Sequence, residues 1–284
     1  MMNRLINPII FIICLFVTAC SDDNNENEPI TPFSLGNTYY EVRLGKGTNS
    51  IYITNGSGDI SLAIEDENIL NAKYESGLYA DGLRGVIFLY GMRKGSTTLT
   101  ITDNITKEAE TVEVKVTDCY LAYVISYSNH PVLKTGTTLF WVNNQTRDYY
   151  LFAESDTHNQ PLVKGSYDFF VTLDAGTGPS PQLYGIPHLR LNYPSDEDGN
   201  LADANIAATP HNFQIELYGE DASSSLVTNV IRTYLGVDWE KLIGDAQTKS
   251  PAPADMTMIM TVPGTDYQIE GELSTVTIPE HILD

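Results

Sequence analysis

The chain has 284 residues, 42% hydrophobic and 10% aromatic, and its 16 Lys+Arg against 37 Asp+Glu give a formal charge of −21. These proportions exclude a wholly disordered chain, and the length predicts about two domains, each able to bury a core. The acidic balance argues against a nucleic-acid partner, whose binding is driven by clustered Lys and Arg, and three cysteines provide neither a disulfide framework nor a zinc-knuckle spacing.

Residues 1–20 read as an export signal. Arg4 supplies a basic start, and Ile9 to Val17 is an unbroken apolar run, shorter than the roughly 20 residues that a bilayer span takes. Val17-Thr18-Ala19-Cys20 then resembles the bacterial lipobox, which implies removal of residues 1–19 and diacylation of Cys20 as the new N-terminus. An ordinary signal peptide, or a buried apolar segment that happens to carry a cysteine, is the competing reading. Polar sequence follows Cys20 at once: Ser21 to Pro29 has no apolar residue, so 20–32 is predicted to be a flexible tether. Cys20-Ser21-Asp22-Asp23 resembles the surface-export pattern of Bacteroidota lipoproteins, which implies the outer membrane and its outer face. Loss of Arg4 takes the charge from −21 to −22, and such a body repels anionic lipid, so the membrane partnership would rest on the acyl group. Cys119 would be the one remaining thiol, leaving no intrachain disulfide.

From 33 to 117 short alternating segments predict an antiparallel all-β sandwich of about seven strands. Tyr40, Val42 and Leu44 alternate with polar residues, and Ile51 and Ile53 flank Tyr52. Asn55-Gly56-Ser57-Gly58 predicts a hairpin turn leading into Ile60, Leu62 and Ile64. Strands follow near Leu70–Tyr74, Val86–Tyr90, Thr97–Thr102 and Val112–Val116. Leu89-Tyr90-Gly91-Met92-Arg93-Lys94-Gly95, the Thr-rich run Ser96–Asp103 and Val112-Glu113-Val114-Lys115-Val116 together resemble the end of a bacterial Ig-like domain of the group 2 type. The turn at 56–59 resembles that family's early hairpin. The resemblance covers 33–117 and implies a spacer or adhesive module in a surface protein, with no catalytic residue to carry over.

From 118 to 284 the residues predict a larger, mostly-β domain with one or two short helices, resembling no family. Strand candidates are Cys119–Tyr127, Thr137–Val142 and Tyr149–Ala153 as a hairpin about 143–146, Ser166–Leu173, Leu189–Tyr193, Asn212–Leu217, Met256–Val262 and Tyr267–Ile278. Asp238 is placed to cap a helix Trp239–Ile243 ended by Gly244, whereas Leu226–Leu235 fits helix by spacing and strand by its β-branched content.

Candidate chemistry is sparse. The acidic loop 196–203 has oxygen ligands of the kind calcium takes, yet Leu201 stands where an EF-hand needs Gly and Ala207 where it needs an acid, so a solvated turn is the favoured reading. His130, His158, His188, His211 and His281 form no metal-binding pair by spacing, and His130 and His211 neighbour prolines as turn-end residues do. No nucleophile elbow is present. Cys119 reads as inert core, and Gly176-Thr177-Gly178 leads into Pro179 rather than a phosphate-binding helix. No metal, cofactor or catalytic residue is therefore predicted, and Cys20 is the one site residue, for lipid attachment. Adjacent rings at Tyr39-Tyr40 and Tyr149-Tyr150 would lie on opposite faces of their strands, open to a sugar or protein partner or merely suited to β structure.

Three functions fit. The first is a non-catalytic outer-membrane surface lipoprotein whose Ig-like spacer presents a β-rich domain to a glycan or protein. The second is a structural or adhesive subunit of a surface assembly, which would use an open strand edge. The third and least favoured is a glycan-directed hydrolase with its site in 118–284.

Overall fold

The computed structural model describes residues 30–45, 49–77, 82–153, 160–175, 183–203, 205–216, 226–243, 256–279 and 281–283. The protein is mainly β, with a two-sheet sandwich followed by a closed barrel and two short helices.

The sandwich has seven strands. One sheet runs in the order β1 (Tyr39–Arg43), β7 (Ala109–Thr117), β6 (Gly95–Asp103), β3 (Ile60–Ile64). The other is β2 (Asn49–Thr54), β5 (Leu83–Gly91), β4 (Leu70–Ser76). Alternation turns one face of each strand inward, so Ile51 and Ile53 of β2 meet Leu99, Ile101, Val112 and Val114 of the facing sheet in one core. Strand β1 runs parallel to β7 and pairs Arg43 with Thr117; all other pairs are antiparallel.

The predicted hairpin at Asn55–Gly58 is not one. β2 pairs with β5 and β3 with β6, so this segment arches from one sheet to the other. Asp103 dictates the arch. Its buried carboxylate accepts hydrogen bonds from the Ser57 N–H and hydroxyl, both at 2.7 Å, and from the Ile105 and Thr106 N–H groups at 2.9 and 3.1 Å. Gly56, at φ 74°, passes so close to Phe33 and Asp103 that a side chain would strike both. The left-handed residues that suggest a hairpin by sequence serve here to bring the loop onto one carboxylate.

The barrel is an eight-stranded meander in chain order: β8 (Tyr120–Ser128), β9 (Thr137–Val142), β10 (Asp148–Ala153), β11 (Val163–Ala175), β12 (Leu183–Tyr193), β13 (Thr209–Glu216), β14 (Thr257–Thr261) and β15 (Gln268–Ser274). Strand β15 closes back onto β8. Eight strands enclose a lumen that side chains can fill, and Tyr123, Trp141, Tyr149, Leu191, Phe213 and Met258 are among those filling it. Outward positions carry Lys164, Asp168, Arg190, Asn212, Glu270 and Glu272, all at least partly exposed. An apolar inside with a polar outside is the reverse of a membrane-spanning barrel. Among the described residues no helix is long and apolar enough to cross a membrane. Close coiling of the wall demands glycine at Gly165, where a Cβ would fall on the Asn192 carbonyl and on the ring of its cross-strand partner Tyr149.

Both ends of the lumen are stopped. At the end where β8 begins lie α1 (Leu226–Leu235) and α2 (Trp239–Ile243). The 226–235 segment is helical because Val227, Ile231 and Leu235 recur every four residues and bury together against the lumen, which outweighs β-branched propensity. Gly236 at φ 67° ends α1, and Asp238 caps α2 by accepting the Lys241 N–H at 3.0 Å. Trp239 donates its indole N–H to the Thr228 carbonyl at 3.0 Å and packs edge-on against Phe169. At the opposite end the loop after β8 inserts Val132 and Leu133 into the core.

A third cluster explains why 119–127 reads as continuous apolar sequence. On the outer wall Tyr120, Ala122, Phe140, Val142, Tyr150 and Phe152 are buried beneath the C-terminal segment, through Ile278, Ile282 and Leu283. Strands covered on both sides lose their alternation. Tyr149 and Tyr150 do point to opposite faces, but both are buried, one in the lumen and one under this segment, so neither is a free platform.

Candidate functional site

Two places in the molecule combine charge, aromatic rings and shape. The first joins the sandwich to the barrel. Because β1 is parallel to β7, Arg43 stands level with Thr117, three residues before Tyr120 on the chain that enters the barrel. Its guanidinium lies 3.8 Å above the Tyr120 ring and donates to the Thr275 and Val276 carbonyls at 2.8 and 3.2 Å. The Tyr120 hydroxyl donates to the Glu41 carboxylate at 3.0 Å and accepts the Ile278 N–H at 3.2 Å. Burial pushes that hydroxyl's pKa up, opposed by the charge of Arg43. Lys94, in the turn between β5 and β6, meets the largely buried Asp118 at 2.6 Å. Three sandwich side chains thus hold the connecting chain, the first barrel strand and the C-terminal segment together. A recess of about 250 Å³ remains beside them, lined by Glu41, Arg43, Tyr120, Tyr234 and Thr275 among others.

The second is the barrel mouth at the end of β8. His130 is buried, and its Nδ1 accepts the N–H groups of Val132 and Leu133, both at 3.1 Å, which shapes the turn that inserts those two residues. Phe213 and Tyr267 fix the imidazole edge-on, with centroids at 5.4 and 5.3 Å. Nearby, His211 stacks on Tyr193 at 3.7 Å, and its Nε2 lies 3.1 Å from the Thr209 hydroxyl. A recess of about 300 Å³ opens here, lined by His130, Pro210, His211, Asn212, Phe213, Val262 and Pro263. Burial, aided by His211, lowers the His130 pKa to about 4; burial also lowers that of His211. Both rings are therefore neutral at pH 7.

This lowering has a consequence for stability. The ordinary histidine pKa is near 6.5, so the unfolded chain takes up a proton that the fold resists. The contribution of neutral His130 is complete above pH 6.5 and is lost as pH falls toward 4, by up to about 3 kcal/mol. Urea unfolding followed between pH 7.5 and 4 is expected to show this limb. His130→Asn, whose Oδ1 replaces Nδ1 as acceptor for the same turn, is expected to flatten it.

The structure disperses the residues that the sequence singles out. Cys20 and the whole of 1–29 lie outside the described residues, as do His158, Gly176-Thr177-Gly178-Pro179 and Gly244. The loop 196–203 is a self-satisfied turn in which Asp196 Oδ1 accepts the Asp198 and Asn200 N–H groups at 3.0 and 2.8 Å, so its carboxylate serves its own backbone. No cluster of three or more metal-ligating side chains occurs among the described residues. Cys119 is buried just before β8. His211 lies within β13 rather than at a turn end, and His188 stacks on Phe170 on the barrel's outer wall. Arg43, Glu41 and Tyr120 escape sequence reading because their partnership depends on a parallel β1–β7 pairing that no local pattern announces.

No protein-family profile matches the chain, and no curated protein does. Among solved structures the chain is similar to parts of the S-layer protein SbsC. Domains 4 and 5 align at 17% identity over 31% of this chain and 45% of that one, with a TM-score of 0.25. Domains 5–6 align at 11% identity over 65% and 96%, and domains 4–9 at 11% over 72% and 36%, each with a TM-score of 0.25. The chain therefore spans less than half the length of the first of these. The likeness is distant, of β-rich architecture alone, and carries nothing about activity.

Proposed function

We propose that this chain is a non-catalytic structural subunit of a bacterial cell surface, anchored by acylation of Cys20. In this reading 1–19 is a removed leader, 20–32 the tether, 33–117 the spacer and 118–284 the body that the spacer carries. The observation that carries the reading is the joint. A tethered chain that merely captured a ligand has no need of a stiff hinge, whereas a load-bearing unit does, and Arg43, Tyr120, Glu41 and Lys94 supply one. The barrel supports it too, since its lumen is packed and its closure removes the open edge that invites uncontrolled pairing. Among the described residues the sandwich's edge strands are β1, β2, β3 and β4; Ser34 already bridges Thr54 on the β2 edge and the Asn49 side-chain amide donates to the Glu41 carbonyl of β1, so β3 and β4 are the freer edges for a neighbouring subunit.

Labelling producing cells with radioactive palmitate, followed by native electrophoresis of a detergent extract, tests both halves. The expected result is label on the wild-type protein in a species larger than one chain, and loss of label in Cys20→Ser. An unlabelled wild-type protein removes the anchor. A labelled species of single-chain size removes the assembly.

A further inference from the structure

We propose that β4 is a self-pairing edge: two copies of this chain join antiparallel through Ala72 and Ser76, and Lys73 of each stands opposite the partner's Glu75. Such pairing names the edge and the occupant for the assembly proposed above. It rests on that reading, though not on Cys20.

The phase of the sheet decides which backbone groups are on offer. The Met92 N–H donates to the Ile69 carbonyl at 2.8 Å and the Gly77 N–H to the Arg84 carbonyl at 3.0 Å, both in the register that pairs β4 with β5. Bonded and non-bonded pairs alternate along an antiparallel ladder. Odd-numbered residues of β4 therefore bond to β5, whereas Ala72 and Ser76 turn N–H and C=O outward. The seven residues of β4 contain no proline and its ladder no bulge, two devices that blunt an edge. A lysine is a third such device, but Lys73 is already paired with Glu75 of its own strand at 2.8 Å.

Charge then selects the register. Under two-fold symmetry an axis at 73 sets Lys73 against its own copy, and an axis at 75 does the same for Glu75. Like charges directly opposite are destabilising. An axis at 72 calls on the Leu70 N–H, which is already given to the Asp66 carbonyl. An axis at 74 is free of these faults. Ala72 then exchanges a pair of backbone hydrogen bonds with the partner's Ser76 at each end of the paired segment. Between them Lys73 lies in a closely spaced pair with the partner's Glu75, on the exposed face and twice by symmetry.

Two further observations favour a second copy as the occupant. Beside β4 lies β3, and along this side the core is least covered: Ile60, Leu62, Ile64, Ala72 and Tyr74 are five of the eight partly buried apolar residues packed on it. Residues 33–117 hold 8 Lys+Arg against 11 Asp+Glu, a charge of −3, so most of the chain's −21 lies away from this contact. β3 itself lacks the match. Its own two-fold pairing about Leu62 sets Asp59 opposite the partner's Glu65 at both ends.

The test is sedimentation velocity of the full chain in density-matched detergent. The wild type is expected to dimerise reversibly. Lys73→Glu and Glu75→Lys each replace both unlike pairs by like ones and are expected to weaken dimerisation about tenfold or more. Both side chains are largely exposed, so neither variant threatens the fold. The exchanged chain, Lys73→Glu with Glu75→Lys, is expected to recover wild-type affinity, because each glutamate again opposes a lysine. Ser76→Pro removes an outward N–H without taking a bond from β5, and is expected to weaken the dimer as well. A Lys73→Glu chain that dimerises as the wild type does, or an exchanged chain as weak as the single variants, overturns the pairing. Larger species that persist unchanged in Ser76→Pro overturn it too, but leave an assembly standing through another contact. A wild type of single-chain size up to about 1 mM overturns pairing and assembly together.

Discussion

Replacing Arg43 by alanine is expected to split a single cooperative unfolding transition into two. The wild-type joint couples the modules because one guanidinium serves three elements: it belongs to β1, covers the Tyr120 ring of β8 and donates to the carbonyls of Thr275 and Val276 beyond β15. A cation over an aromatic ring and two charge-assisted hydrogen bonds, partly exposed, are together worth about 2–3 kcal/mol. Beside it the joint has the hydrogen bond of the Tyr120 hydroxyl to the Glu41 carboxylate at 3.0 Å and the pair of half-exposed Lys94 with Asp118, the latter contributing about 1 kcal/mol or less. Lysine at position 43 is not expected to restore coupling, because an ammonium cannot lie flat on the ring while donating to two carbonyls. Tyr120→Phe, which loses the contacts to Glu41 and the Ile278 N–H but keeps the ring, should fall between wild type and Arg43→Ala. Scanning calorimetry decides: a single, unshifted transition in Arg43→Ala means that Arg43 couples nothing.

The largest loss of stability in the sandwich is expected from Asp103→Ala, about 3–5 kcal/mol. Four donors converge on this carboxylate, and alanine leaves the Ser57, Ile105 and Thr106 N–H groups without their acceptor in a part-buried site. Those bonds outweigh the cost of burying the charge and hold the Asp103 pKa at about 2. Since the folded value lies below the unfolded one near 3.9, the stabilisation is complete above pH 4 and is lost as pH falls toward 2, by about 2.5 kcal/mol. This window lies below the one set by His130, so on acidification the barrel's contribution to the common transition is lost first and the sandwich's second. Urea midpoints of the wild type and Asp103→Asn at pH 7, 4 and 2.5 check the sign, and an Asp103→Asn chain with the wild type's acid limb contradicts it.

What was legible in the sequence follows from where each pattern originates. Strands buried on one face announce themselves by alternation, as Val112-Glu113-Val114-Lys115-Val116 does for β7, and local capping announces α2 through Asp238. Pairing across sheets is not local. The left-handed residues at Asn55, Gly56 and Gly58 look the same whether the chain returns beside itself or crosses to the facing sheet, and only Asp103, far along the chain, decides. The regular meander of the barrel was hidden for a related reason. β8, β9 and β10 are covered on both sides, the outer cover being Ile278, Ile282 and Leu283 near the far end of the sequence, so their period-two signal is absent. His130 shows the same limit at the mouth. Beside Pro131 it reads as a turn residue, which it is, but its burial comes from Phe213 and Tyr267 on distant strands.

A stiff joint requires sandwich and barrel to tumble as one body. Backbone ¹⁵N relaxation of the chain without residues 1–19 measures this directly, by fitting rotational diffusion separately to residues of β1–β7 and β8–β15. One shared diffusion tensor for both sets is the predicted result, with two tensors appearing in Arg43→Ala. Two independent, faster tensors in the wild type would contradict the rigid joint and the structural role drawn from it.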